Sequence, residues 1–237
     1  MIFGFIILTF LTVDADKEAQ QTAEKLQKTY QKLGNVQSEF SQTYIDTLRG
    51  SQRVESGELW VHKDGRLRWS YKNPTEKDFI FDGKSAFFYE PENRQVTIFD
   101  KFQEDDLWKT MQFLWGKTSW KERFNVEACP KICREQFVNY KTLTLIPKKV
   151  LGSLDHAWII IDPKTHRISQ ALLFDALENK NIYEFKNIRT VATFKNTIFQ
   201  FVIPEGTSIL RATANDNEET TAKPPAPENI KIFKRPE

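Results

Sequence analysis

The chain has 237 residues, with 34 basic and 32 acidic side chains and a formal charge of +2. That near balance excludes the domain-wide basic excess of a nucleic-acid binder, and the length suits one large β domain or two small ones. Aromatic residues make up 13% of the chain, phenylalanine foremost with 19, which is ample for a core or for the wall of an apolar cavity.

"MIFGFIILTFLTVDADKEAQ" comes first. Ile2 to Leu11 is almost wholly apolar, yet shorter than the roughly 20 residues a membrane-spanning helix needs. It fits the apolar region of a secretory signal, with Val13-Asp14-Ala15 as a small-residue cleavage site. No Lys or Arg precedes the run, and the competing reading is a buried N-terminal strand. Export is favoured, with the signal at 1–15. Ala19, Ala23, Leu26, Tyr30 and Leu33 then fall in steps of four and three, one stripe of an amphipathic helix. Gly34-Asn35 stops it. Two placements stay open for this helix: packed on a sheet as core, or laid across the mouth of something.

From Val36 to Phe99 the pattern changes to strand, turn, strand. "VQSEFSQTYI" alternates loosely. Next comes "SGELWVHKDGRLRWSY", with Leu59 and Val61 on one arm and Leu67, Trp69 and Tyr71 on the other. Its period of two marks half-buried strands, and Asp64-Gly65 in the turn is a hairpin signal. Asn73-Pro74, Asp82-Gly83 and Glu90-Pro91-Glu92-Asn93 then punctuate "KDFIF", "SAFFYE" and "QVTIF". Such short connections favour antiparallel neighbours, because parallel strands need long crossovers.

"EDDLWKTMQFLWGKTSW" breaks the rhythm. Leu107, Met111 and Leu114 share a helical face, acidic residues 104–106 sit where a helix start favours them, and Gly116 can end it. This helix either plugs an open sheet or fills a core. Strands resume as "ERFNVEAC", "FVNYKTLTLIP", "HAWIIIDP", "HRISQALLFDA", "KNIYEFKNI" and "IFQFVIP". The reading therefore totals about eleven strands. After Leu210 the composition turns polar and proline-rich, the mark of an extended or disordered tail over 211–237.

No GxSxG, HExxH or ligand-spaced cluster is present, so neither catalytic residues, a metal nor a cofactor is expected. Cys129 and Cys133 in "CPKIC" suit a structural disulfide in an oxidising compartment better than a redox or zinc site. What remains is an aromatic-rich antiparallel sheet with apolar helices, able to enclose an apolar ligand.

Several pieces then fall in a shared order: Phe40-Ser41-Gln42, Gly57-x-Leu59-Trp60-Val61, Trp69 followed by Pro74, Asp82-Gly83-Lys84 and Pro204-x-Gly206. In that order and spacing, from about Leu26 to Leu210, the chain resembles the LolA family of periplasmic lipoprotein carriers. The resemblance implies an unclosed antiparallel β-barrel of about eleven strands, with a lid of short helices, over residues 16–210. It implies a non-enzymatic carrier, expected as a monomer in the periplasm. Its cargo would be acylated lipoproteins, released by an inner-membrane ABC transporter and handed to an outer-membrane acceptor lipoprotein. The alternative is a sensing module on the same half-barrel, which binds lipoproteins or a protein partner.

By resemblance the lipid cavity is lined by Phe40, Leu59, Leu67, Trp69, Phe79, Phe88, Met111, Phe113 and Leu114; each reads equally well as ordinary core. The family carries an Arg-Pro pair at the turn, whose arginine bonds the lid. Lys63 and Asp64 stand there instead, and a lysine lacks the planar fork of arginine. The candidate latch is Lys63 or Arg66, with Arg68 as a further substitute, against a plain solvated turn.

Overall fold

The computed structural model describes residues 6–102 and 120–212, with 6–14 as backbone only. Helix α1 (Ile6–Lys32) ends where Leu33 N donates to the carbonyls of Thr29 and Tyr30. It runs through position 15 without a break. An antiparallel meander follows: β1 (Asn35–Asp46), β2 (Ser51–Val61), β3 (Leu67–Asn73), β4 (Lys77–Phe81), β5 (Ala86–Glu90) and β6 (Gln95–Phe99). Beyond the undescribed segment come α2 (Trp120–Arg123), β7 (Phe124–Glu127), α3 (Lys131–Gln136), β8 (Lys141–Pro147), β9 (Leu154–Ile161), β10 (Ile168–Asp175) and β11 (Lys180–Val191). A 3-10 turn (Asn196–Phe199) and β12 (Ser208–Ala212) finish the described chain.

All twelve described strands form one sheet in the order β12-β6-β5-β4-β3-β2-β1-β11-β10-β9-β8-β7. Its end strands, β12 and β7, do not pair with each other, so the barrel is unclosed. The joint is β1, which pairs with β2 on one side and β11 on the other. Turn chemistry sets the hairpins: Gly65 and Gly83 adopt φ of 106° and 105°, open to glycine and strained for other residues.

Both faces of the sheet are covered, but differently. On the inner face α1 lays Ala19, Ala23 and Leu26 against Leu143, Leu145, Ile159 and Phe124. The two alanines let the helix axis come close to the sheet. Farther along the same face, Leu67, Phe81, Ala86 and Phe102 form a second cluster, flanked by Trp69 and Phe79. On the outer face Cys129, Cys133 and Phe137 cover Ile160, Leu172 and Phe174. Phe201 packs there on Phe87 and Tyr89, with ring centroids 5.4 and 5.2 Å away.

Four expectations are corrected. "IFQFVIP" is a 3-10 turn and an irregular segment, not a strand. Phe199 and Phe201 anchor that segment on the outer face, which hydrophobicity alone cannot tell from pairing. The strand in this region is β12, which crosses the expected tail boundary at 210 and runs parallel to β6. The described strands therefore number twelve, against about eleven expected, with one parallel pair among them. "FVNY" and Glu122-Arg123 lie outside strands; β8 starts at Lys141 and β7 at Phe124.

The CPKIC segment also forms an element that the strand pattern did not show. Pro130 precedes α3, a place that suits its fixed φ, and Cys129 and Cys133 form a disulfide across the helix start, Cα to Cα 5.8 Å. Both cysteines are buried.

One glycine is set by close approach rather than by φ. β2 bulges at Ser56 and Gly57 against β3, and a Cβ on Gly57 would lie 1.9 Å from the Ser70 carbonyl oxygen. Backbone cannot give way there as a flexible side chain would. Gly57→Ala is expected to cost about 1–3 kcal/mol or more, read as a lowered urea midpoint. An unchanged midpoint would mean that β2 and β3 can separate at the bulge without cost.

Candidate functional site

Strand register brings the sequence-predicted wall together. Phe40 lies opposite Gly57 and Phe185, Leu59 opposite Trp69, Trp69 opposite Phe79, and Phe79 opposite Phe88. Leu67 lies opposite Phe81, two residues along the same strands. All six predicted residues that fall in the described chain therefore share the inner face, because alternate residues of a strand point the same way. Met111, Phe113 and Leu114 lie outside the described residues.

The wall is built of edge-to-face rings. Phe40 sits between Trp69 and Tyr71, 5.1 and 5.0 Å away, and Trp69 meets Tyr183 at 5.3 Å. Phe79 and Phe81 both meet Phe102. Tyr71, Phe81, Phe102, Tyr183 and Phe185 thus belong to the wall, although the sequence reading did not name them as cavity residues. Strand parity was the signal for two of them: Tyr71 follows Trp69 by two residues, and Phe81 follows Phe79 by two.

The wall ends in polar groups. Tyr71 OH donates to Gln42 Oε1 at 2.6 Å, Gln42 Nε2 donates to Asn181 Oδ1 at 2.9 Å, and Asn181 Nδ2 donates to Tyr183 OH at 3.1 Å. Beside them Lys77 Nζ bonds Glu55 Oε1 at 2.7 Å and stands 4.4 Å over the Tyr71 ring. The pair is deep, with side-chain exposures of 15% and 9%. Burial, with Tyr183 and Glu55 nearby, drives the Tyr71 phenol far above its ordinary pKa. Burial likewise pushes Tyr183 up to about 12. The indole Nε1 of Trp69 is buried and has no hydrogen-bond partner among the described residues, which costs about 1–3 kcal/mol.

The turn is tied elsewhere. Lys63 is exposed, and its backbone N–H donates to Asn35 Oδ1 at 3.0 Å. Arg66 reaches Asp64 at 3.0 Å and lies 5.3 Å over the Phe199 ring. Arg68 is held by Asp78 at 2.6 Å. Among the described residues none of the three side chains bonds α1; the helix expected at 104–116 lies outside them.

What holds α1 is a different set. Ile168 N–H donates to Tyr30 OH at 3.2 Å, and Ala128 N–H donates to Asp16 Oδ1 at 2.8 Å. Glu18 pairs with Lys141 and Glu24 with Lys121, on the surface. Desolvation raises the Tyr30 phenol to about 12, while the Lys141 hydrogen bond holds Glu18 below the ordinary carboxylate value. Most of the grip is therefore small apolar contact and a few hydrogen bonds, not charge.

Two clefts stand out. One of about 300 Å³ lies beside α1, between Glu18, Lys25, Leu26, Lys141 and His166. Another of about 320 Å³ is lined by Glu127, Pro130, Thr144, His156 and Trp158. Neither opens on the aromatic wall, whose rings are packed on each other. Among the described residues no group of His, Cys, Asp and Glu could hold a metal ion, and no helix is long and apolar enough to cross a membrane.

The model of the family described as "Outer membrane lipoprotein carrier protein LolA" matches residues 31–202. The chain belongs to the LolA family. LolA-family proteins are binding carriers, not enzymes, and the open barrel with a helical cover is the fold found here. The outer-membrane lipoprotein carrier protein of Nitrosomonas europaea is 27% identical, over 80% of this chain and 89% of its own length. That of Coxiella burnetii is 22% identical, over 89% of this chain and 94% of its own. An uncharacterized conserved protein from Thermus thermophilus shares the fold, with a TM-score of 0.50 at 9% identity, covering 82% of this chain and 99% of its own. The LolA match runs from the last turn of α1 to the segment after the 3-10 turn, so it contains the whole described aromatic wall.

Two changes should loosen α1. Tyr30→Phe removes the acceptor for Ile168 N–H and is expected to cost about 1 kcal/mol, with faster hydrogen exchange in α1 and at Ile168. Acid should act through Glu18. Its depressed pKa stabilises the fold above the ordinary carboxylate value, and that contribution is lost as pH falls through the lower, folded value. Exchange in α1 is thus expected to rise below about pH 4.5; a flat profile there would assign the grip to apolar contacts alone.

Proposed function

We propose that the protein is a periplasmic carrier that shields the acyl chains of lipoproteins between the inner and outer membranes. The general role, a lipoprotein carrier, comes with its family. The observation that carries the specific reading is the inner face of the unclosed sheet. It is a continuous aromatic and aliphatic surface, half covered by a helix that rests on two alanines. An acyl chain gains about 0.8 kcal/mol for each methylene taken out of water. Chains of lipoprotein length cannot cross an aqueous space bare.

The packed wall is the state without cargo. Loading exchanges ring-on-ring contacts and α1 contacts for ring-on-methylene contacts, so opening costs little and release stays possible. Phe40, Leu59, Leu67, Trp69, Phe79 and Phe88 form the described wall; Met111, Phe113 and Leu114 extend it in the family pattern. Lys63 and Arg66 act as a latch only toward the segment 103–119, since their described partners lie on the other side. An inner-membrane ABC transporter loads the carrier and an outer-membrane acceptor lipoprotein unloads it. Residues 1–15 are an export signal, the carrier domain runs from 16 through the end of β12, and the residues after it are a tail; one chain suffices for the task.

The test is native mass spectrometry of the mature chain, purified from the periplasm beside a tagged triacylated lipoprotein. A one-to-one complex, lost when the lipoprotein is made without acyl chains, is expected. A complex indifferent to acylation would move the reading to a protein-binding sensor. Leu67 is 1% exposed on the wall, so Leu67→Glu is expected to abolish that complex by placing a charge against the chains. Normal binding by a folded Leu67→Glu protein would remove this face from the site.

A further inference from the structure

The inner face holds buried donors that meet no hydrogen-bond acceptor among the described residues. Trp69 Nε1–H is buried without a partner, on a ring set between Phe40 and Tyr183. Arg53 Nε is also buried without a hydrogen bond; Glu55 Oε1, at 3.7 Å, is too far to accept one. The Tyr183 hydroxyl accepts from Asn181, and its own proton meets no acceptor among the described residues. Three acceptors nearby face other donors. Gln42 Oε1 takes Tyr71, Asn181 Oδ1 takes Gln42, and Glu55 Oε1 takes Lys77. Buried donors without partners cost free energy in the empty protein, and a ligand that supplies acceptors recovers it.

We propose that this end, centred on the indole N–H of Trp69 with Tyr183 beside it, is the subsite for the acyl carbonyls at the head of a bound lipid. The hydrocarbon lies along Phe40, Leu59, Leu67 and Phe79. The inference rests on the carrier reading and adds the polarity of the cargo to it. A hydrocarbon tail offers no acceptor. The ester and amide carbonyls where chains join a lipidated N-terminus offer several and bring no charge. Lys77 and Arg53 both face Glu55, so a carboxylate head would meet a carboxylate already placed between the cations. The wall thereby gains a direction, with heads toward Tyr71 and Tyr183 and tails toward Leu67 and Phe81.

The experiment measures binding of two synthetic triacyl lipopeptides, identical except that one carries its glyceryl chains through esters and the other through ethers, which lack those carbonyls. Wild-type protein is expected to bind the ester form about fivefold more tightly, the worth of one hydrogen bond. Trp69→Phe keeps an aromatic ring, loses the N–H, and is expected to bring the ratio near one. Packing damage would weaken both ligands together and leave the ratio unchanged. Equal wild-type affinity for the two forms overturns the subsite while leaving the carrier standing, and so does a ratio that survives Trp69→Phe. Failure of wild-type protein to bind either form overturns the carrier reading and the subsite with it. A diester phosphatidylethanolamine serves as competitor: displacement sensitive to Trp69→Phe means that the subsite reads any acyl carbonyl, and no displacement means that it reads the lipopeptide head.

Discussion

Strand β1 is the constraint on which the rest of the molecule depends. It is paired along its length on both sides, to β2 and to β11, and so joins the meander of β2 to β6 to the strands that close the sequence. Because side chains alternate along a strand, one register in β1 decides which face every other strand presents. Phe40 faces inward, and therefore Trp69, Phe79, Phe185 and Leu173 do too. A slip by one residue would send that set to the other side and remove the close fit of α1 on Leu143, Leu145 and Ile159.

The two halves of the inner face have different characters. Under α1 it is aliphatic and closely filled, with Leu143, Ile159 and Leu145 meeting Ala19, Ala23 and Leu26. Under β2 to β5 it is aromatic, and its rings meet edge to face. Interiors are close-packed, so a branched aliphatic half resists rearrangement. Flat rings that touch along edges can turn to admit a chain. The helix grips the first half through Tyr30 and Asp16, and the second half carries the proposed binding wall.

The outer face explains why the barrel keeps its curve while its inner face stays exchangeable. α3, stapled by Cys129 and Cys133, covers β9 and β10 from outside, and Phe199 and Phe201 cover the strands of the other half. Rigidity is thus supplied from the side that the proposed cargo does not touch. The buried Glu55 and Lys77 pair is a counterexample to a purely apolar lining. Such pairs contribute little to stability once their desolvation is counted, and its place at the end of the wall gives the surface a polar limit.

The sequence by itself determined the strands with strict alternation, the turns carrying Asp-Gly, the stripe of α1, the closely spaced cysteine pair and the family pattern. Each of these is a local preference or a short-range spacing, written within a few neighbouring residues. Through the family pattern it also named six residues that the strand register then places on one face of the sheet. Tertiary structure alone decided the rest. That "IFQFVIP" anchors to the outer face, that β12 adds in parallel to β6, and that Arg66 turns to Asp64 and Phe199 all depend on what lies across the fold. So does the unpartnered indole of Trp69. A hydrophobic residue reports that it is buried but not against what, and a donor reports its need for an acceptor but not whether the fold provides one.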